Sequence, residues 1–299
     1  MERSIIYVIN PISGTRKKKD LQEYIEKATA AKKIPYQVFP SVASGDYSFL
    51  HPIIKENKIT DVVIAGGDGT VSQVVGGLLD FNLNFGVIPC GSGNGLALTA
   101  GISKKPETAL DIVFNGKPSI VDGLMINDSF SCMLCGLGFD AKVAHEFAKQ
   151  PKRGLGTYAS VIRKNFFSAP SYRFELHSNG IRFTTDAFFI SIANSNQFGN
   201  NFTIAPKASL TDGLLDIVIV TNQGKLSMLM QTLMQVSGRN KLMTDIFIEK
   251  KKEIIYFQTD KLSISNPSQA LLHIDGDPAE TPDELKIEIN KKCFKVIQP

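Results

Sequence analysis

Apolar and polar positions along this chain change their pattern once, near Val121–Gly123. Before that point, short unbroken apolar runs alternate with stretches of helical spacing. Ser4–Ile9, Tyr36–Phe39, Val62–Ala65 and Phe85–Ile88 read as strands, and the unbroken run at Val62 is what a central strand covered on both faces requires. Asp20–Lys33, Phe49–Glu56 and Val71–Leu79 read as helices, and a further helix is expected from Leu96. This alternation predicts a doubly wound α/β domain over residues 1–122, built on a parallel sheet. After Gly123 come short runs broken by turn residues: Leu124–Ile126, Phe130–Cys135, Tyr172–His177, Ile181–Thr184, Ala187–Ala193, Leu215–Val220, Ile254–Phe257, Leu262–Ser265 and Ala270–Ile274. Asn179-Gly180 between two of them is a hairpin signal. Residues 123–285 are therefore expected to form a β-sandwich or open barrel. Helical stretches interrupt it at Phe139–Lys149, Leu155–Phe167 and Lys225–Val236.

Three turns in the first half share one composition. Asn10-Pro11-Ile12-Ser13-Gly14 follows the first strand, Gly66-Gly67-Asp68-Gly69-Thr70 the third, and Pro89-Cys90-Gly91-Ser92-Gly93-Asn94-Gly95 the fourth. Gly66 and Gly67 can take φ > 0 and let a ligand approach the backbone. Asp68 is expected at the carboxyl end of its strand, where open α/β sheets bind ligands, and Thr70 can cap the following helix. Gly91 and Gly93 free the backbone, while Ser92 and Asn94 offer hydrogen bonds to phosphate or ribose oxygens. Strand, glycine turn, carboxylate and helix N-terminus together suit a phosphate with its metal. One such turn is weak evidence, but three converging on one crevice predict a nucleotide site. No Walker A string is present.

In the second half, Asp-Gly recurs at Asp122, Asp212 and Asp275. The long polar loop Asn194–Asp216 closes on Asp212-Gly213, where a carboxylate and backbone carbonyls can turn inward as a hard-cation site. His273-Ile274-Asp275-Gly276-Asp277 places two carboxylates around a turn at the end of an apolar strand, which suits proton abstraction. Gly136–Ala141 fits G-x-G-x-x-A, but no acidic residue follows about twenty positions on, so it is no dinucleotide fingerprint. Cys132 and Cys135 are read as buried structural cysteines, with no second pair to make a metal or redox motif.

Charge narrows the partners. Lys+Arg 33 against Asp+Glu 29 gives a formal +4. That mild balance favours an anionic membrane surface or a nucleotide and falls short of a nucleic-acid footprint, so no nucleic acid is expected. Small basic clusters such as Arg16–Lys19 and Lys250–Lys252 read as solvated faces. Met1–Asn10 lacks a signal-peptide layout and no apolar run approaches a membrane span. A cytoplasmic protein with peripheral membrane contact is expected.

The strings NPISG, GGDGT, PCGSGN, GLGFDA, APKASLTDGLLD and IDGD together resemble the diacylglycerol-kinase-like lipid kinases, a family that includes sphingosine and ceramide kinases. NAD kinases share GGDG but not the last two strings. The resemblance implies ATP, Mg²⁺ and phosphoryl transfer to a membrane lipid hydroxyl in the cleft between the domains. By that analogy Asp275 is the general base, Asp68 belongs to the nucleotide–Mg²⁺ network and Asp122 is a further interdomain acid. The nucleotide would be held by Asn10, Ser13, Gly66, Gly67, Gly69, Thr70, Gly91, Ser92, Gly93, Asn94 and Asp277. A structural Mg²⁺ would be held by Asp212 with the carbonyls of Ser209 and Leu214. The family also leads us to expect that the last strand, within 286–299, returns to the first domain. Two departures stand out: Gly95 replaces the aspartate usual in diacylglycerol kinases, and DGD replaces DGE. The methionine-rich stretch Leu226–Val236 is expected as a helix packed on the sandwich or an acyl-chain lid. A homodimer is left open.

Overall fold

The computed structural model describes residues 3–13, 18–151, 154–196, 205, 207–221 and 254–299. Every residue of β1 (Ile5–Ile9) and β3 (Asp61–Gly66) is buried, which is why neither run carries an alternating polar position. β1 lies parallel between β2 (Tyr36–Pro40) and β3, and β3 pairs in parallel with β4 (Asn84–Pro89). The crossovers are α1 (Lys18–Ala31), α2 (Leu50–Glu56) and α3 (Asp68–Gly77). The helix expected from Leu96 is two helices, α4 (Gly95–Thr99) and α5 (Pro106–Asn115). Pro106 starts the second one, where its missing N–H costs nothing.

The rest is mostly antiparallel: β5 (Lys117–Ile126), β6 (Ser129–Ser131), β7 (Leu134–Gly138), then helices α6 (Phe139–Ala148) and α7 (Leu155–Phe166). β8 (Tyr172–Ser178), β9 (Ile181–Ala193), β10 (Leu215–Thr221), β11 (Ile254–Thr259), β12 (Lys261–Ser265), β13 (Leu272–Ile274), β14 (Asp277–Ala279) and β15 (Glu284–Gln298) follow. Their inward residues, among them Leu124, Phe174, Ile190, Ile217, Ile264 and Ile287, form a core of their own. A second cluster joins the parallel sheet to α6 and α7.

Two strand expectations need correction. Phe130–Cys135 is not one strand, because β6 ends at Ser131 and β7 begins at Leu134. Cys132 and Cys135 are both free and buried, in different core clusters. Ile181–Thr184 and Ala187–Ala193 are one strand, β9, whose first half pairs with β8 alone and keeps an exposed face. Its second half is flanked by β7 and β10 and is fully buried, so the pattern changes while the strand continues. Asn179 (φ 49°) and Gly180 (φ 80°) turn the β8–β9 hairpin as expected.

β15 connects the two halves. It runs antiparallel to β12 and β5, shifts register between Asn290 and Phe294, and then lies parallel to β4 at Lys295 and Val296. The helix expected at Lys225–Val236, the basic cluster Lys250–Lys252 and parts of Arg16–Lys19 and of the loop Asn194–Asp216 lie outside the described residues. Among the described residues no helix is long and apolar enough to cross a membrane.

Candidate active site

Ile274 pairs with Asp277, so Asp275 and Gly276 form a two-residue turn between β13 and β14. Their φ angles of 51° and 84° are both left-handed, as a tight right-twisting hairpin demands. This turn presents Asp275 to the first turns of the other domain. Its Oδ1 accepts hydrogen bonds from Ser131 Oγ (2.8 Å) and the Leu134 N–H (3.1 Å), and its Oδ2 accepts one from Ser72 Oγ. Asp275 is 8% exposed. Burial raises its pKa, the three donors pull the other way, and the nearby Asp277 charge adds to the rise. His273 stands behind the turn: Nδ1 accepts the Gly276 N–H (3.2 Å), and Nε2 faces Asp140 Oδ2 at 3.3 Å.

The three glycine turns meet beside it. Asn10 Nδ2 donates to Thr70 Oγ1 at 2.8 Å, and Ser13 Oγ donates to the Asn10 carbonyl at 3.3 Å. Gly67 and Gly91 touch backbone to backbone: a Cβ on Gly91 would lie 2.6 Å from Gly67 Cα. A Cβ on Gly69 would lie 1.9 Å from Asp277 Oδ2. Asp68 is partly buried and accepts hydrogen bonds from the N–H groups of Gly95 (3.0 Å) and Leu96 (3.4 Å). Burial pushes its pKa up to about 6, with the Asp275 charge contributing.

Several local expectations change. Gly66, Gly67, Gly69, Gly91 and Gly93 do not take positive φ; at Gly67, Gly69 and Gly91 the absence of a side chain serves close approach. Positive φ in the third turn belongs to Asn94 (φ 59°). Its side chain clips the turn to itself, accepting the Gly91 N–H and donating to the Gly91 carbonyl, both at 2.8 Å. Ser92 is exposed at that turn. Thr70 does not cap α3, which begins at Asp68; the N-cap residue is Gly67, with no side-chain acceptor. The N-cap of α3 thus offers no side-chain acceptor to its first-turn amides, whereas Asp68 accepts from those that begin α4.

Asp122 is 1% exposed and ties three segments together. Its Oδ2 accepts the Gly213 N–H (2.8 Å), its Oδ1 accepts the Lys292 N–H (2.6 Å), and its own N–H donates to the Leu210 carbonyl (2.7 Å). Ser209, Asp212 and Leu214 share the turn it fastens, with Gly213 at φ 71° and Asp212 Oδ1 accepting the Leu214 N–H at 3.1 Å. Burial, followed by the Asp122 charge, raises the Asp212 pKa. Among the described residues no three His, Cys, Asp or Glu side chains gather as a metal cluster. A cation here would take one carboxylate and carbonyl oxygens, a donor set suited to a hard ion.

Ser72 and Ser131, the hydroxyls that hold Asp275, were not singled out by sequence reasoning. The available signal was a serine inside an apolar helical stripe, four residues after Asp68 and so on the same face.

Comparisons with known proteins agree with this architecture. The diacylglycerol kinase catalytic domain model matches residues 4–126, and the YegS C-terminal NAD kinase beta sandwich-like domain model matches residues 134–297. A protein named "Diacylglycerol kinase" from Bacillus subtilis (strain 168) is 26% identical over 284 residues, covering 93% of this chain and 90% of that protein. One named "Probable lipid kinase YegS-like" from Enterobacter sp. (strain 638) is 28% identical over 228 residues, covering 74% and 72%. The crystal structure of a diacylglycerol kinase from Bacillus anthracis str. Sterne superposes with a TM-score of 0.73 at 18% identity, covering 99% of this chain and 97% of that one, a likeness of fold. With both halves matched in order, the chain belongs to the diacylglycerol kinase-like family of lipid kinases.

Proposed function

We propose that this kinase uses ATP and Mg²⁺ to phosphorylate a membrane lipid hydroxyl, of the diacylglycerol, sphingoid-base or ceramide class, in the crevice between α3 and the β13–β14 turn. The observation that carries the reading is the Ser72–Asp275 hydrogen bond. It holds a buried carboxylate of raised pKa one helical turn from the amides that begin α3. The amides that begin α3, with Asn10, Ser13, Thr70, Gly66, Gly67, Gly69 and the Gly91–Asn94 turn, suit a bound triphosphate. Asp68, in the second of those turns, suits its Mg²⁺, which would supply charge neutralisation, and Asp277, packed on Gly69, would lie beside the nucleotide. Asp275 would take the acceptor's proton, since a lipid alcohol is a poor nucleophile at neutral pH. Asp212, with the Ser209 and Leu214 carbonyls, would hold a second, structural Mg²⁺, and Asp122 would keep that turn and β15 in place.

The lipid would be met at a membrane surface by a peripherally bound, cytoplasmic enzyme. Phe167, 69% exposed at the end of α7, stands beside exposed Arg163 and Lys164, a pairing suited to an anionic bilayer. The test is transfer of label from γ-labelled ATP in vesicles carrying diacylglycerol, a sphingoid base or ceramide, with soluble NAD as a comparison. Labelled lipid in one vesicle arm is expected. Labelling of NAD alone, or of nothing with folded protein, would contradict the reading.

A further inference from the structure

We infer that Ser72 is a positioning residue for proton transfer: its hydroxyl orients the Asp275 carboxylate from the phosphate-turn helix, leaving one lone pair of Oδ2 for the acceptor. This deepens the reading above and rests on Asp275 being the base. A serine hydroxyl has one hydrogen to donate and two lone pairs to accept with. The Cys132 N–H donates to Ser72 Oγ at 2.9 Å, so one lone pair is occupied and the hydrogen is directed to Asp275 Oδ2. Ser72 is 5% exposed, which keeps water from competing. On the carboxylate, Oδ1 already accepts two hydrogen bonds and Oδ2 only one. Oδ2 is therefore the atom with capacity for a proton. As the acceptor oxygen attacks, its O–H proton passes to Oδ2 and its electron pair forms the new O–P bond. The bond to the departing diphosphate takes its own electron pair away.

The arrangement spans the two halves of the chain. Ser72 and Asp275 lie 203 positions apart, yet Ser72 sits one turn after Asp68 on α3. Asp277 packs on Gly69 in the first turn of the same helix, so the hairpin touches α3 at two points. A shift of α3 on filling the phosphate turns would move the base with it. The titratable groups facing Asp275 are Asp277 on its own hairpin, Asp68 on α3, and the Cys132 and Cys135 thiols. Burial pushes both thiols upward, so they stay neutral.

Ser72→Ala, Ser72→Cys and Ser72→Thr separate orientation from packing. The full-length protein would be followed by carbon-13 NMR of the Asp275 carboxyl, assigned with Asp275→Asn, and by the pH profile of kcat. Loss of a donor to the ionised form raises a carboxyl pKa. Ser72→Ala and Ser72→Cys should therefore move the Asp275 titration and the acidic limb of kcat toward higher pH. kcat near neutrality should fall about 10-fold or more, the scale of a hydrogen bond to a charged group, with KM for ATP within twofold. Ser72→Thr should restore all three. An Asp275 titration that stays put in Ser72→Ala or Ser72→Cys overturns the inference, as does loss of Tm with superimposable pH profiles. The NMR titration needs no substrate, so it decides the role of Ser72 even if no lipid is phosphorylated.

Discussion

Asp277 fills the space where a side chain at Gly69 would stand, its Oδ2 only 1.9 Å from the ideal Cβ position. This glycine of the turn between β3 and α3 is thus matched to a carboxylate from the other half of the chain. Gly69→Ala obliges only the end of the Asp277 side chain to swing aside. Stability should drop by less than about 1 kcal/mol, while phosphoryl transfer falls at least about 10-fold because the hairpin loses its seat. The check is Tm and kcat for Gly69→Ala, Asp277→Ala and the double variant. Additive losses of activity would show that the two positions do not act together.

Gly91→Ala is a different case. Its Cβ would meet the Gly67 backbone at 2.6 Å, so one of the two turns has to move. We expect a stability cost of about 1–3 kcal/mol, the usual range for overpacking, with weakened ATP binding. Denaturant titration and nucleotide binding measure both, and a variant as stable as wild type would contradict the contact.

Asp68 predicts an opposition between stability and function. Its pKa is raised from 3.8 to about 6 in the folded protein. Between those values the native state holds a proton that the unfolded chain has released, so this residue's contribution falls as pH rises through the window. Asp68→Asn removes the charge facing Asp275 and keeps one oxygen, so of the Gly95 and Leu96 amides, which Oδ2 and Oδ1 accept separately, only one retains its acceptor. Above pH 6 its Tm should exceed that of wild type, with the gap closing below about pH 4, while activity is lost. A lower Tm for Asp68→Asn at neutral pH would contradict this.

Asp122→Ala leaves the buried amide of Gly213, and the amide of the exposed Lys292, without their acceptor. The buried Gly213 amide alone costs about 1–3 kcal/mol. The Asp212 turn should loosen with it, so Mg²⁺ should raise the Tm of wild type but not of Asp122→Ala or Asp212→Ala. Calorimetry with and without Mg²⁺ checks this, and a full Mg²⁺ response in Asp212→Ala would remove the metal from that turn.

The architecture was legible wherever burial leaves a pattern. β1 and β3 are covered on both faces and so lack polar positions. β9 was misread as two strands because its neighbours change midway, and a strand's pattern reports its neighbours. The glycine turns stood out by composition, but not the reason for their glycines. Gly69 answers to Asp277 and Gly67 to Gly91, and close approach across the fold leaves no local mark. Ser72 shows the same limit: its importance comes from a partner 203 positions away.

The most direct test of the account is single-turnover phosphoryl transfer from γ-labelled ATP to vesicle lipid by wild type and Asp275→Asn. Asparagine keeps the size and the left-handed turn but cannot take the proton. Burial raises Asp275's pKa against the pull of its three donors, so the wild-type rate should rise with pH through an acidic limb shifted upward from that of a free aspartate. Asp275→Asn should lose that limb and transfer roughly 10²-fold or more slowly, the scale of a general base, with ATP affinity unchanged. Transfer within a few-fold of wild type by folded, ATP-binding Asp275→Asn would show that this carboxylate is not the base.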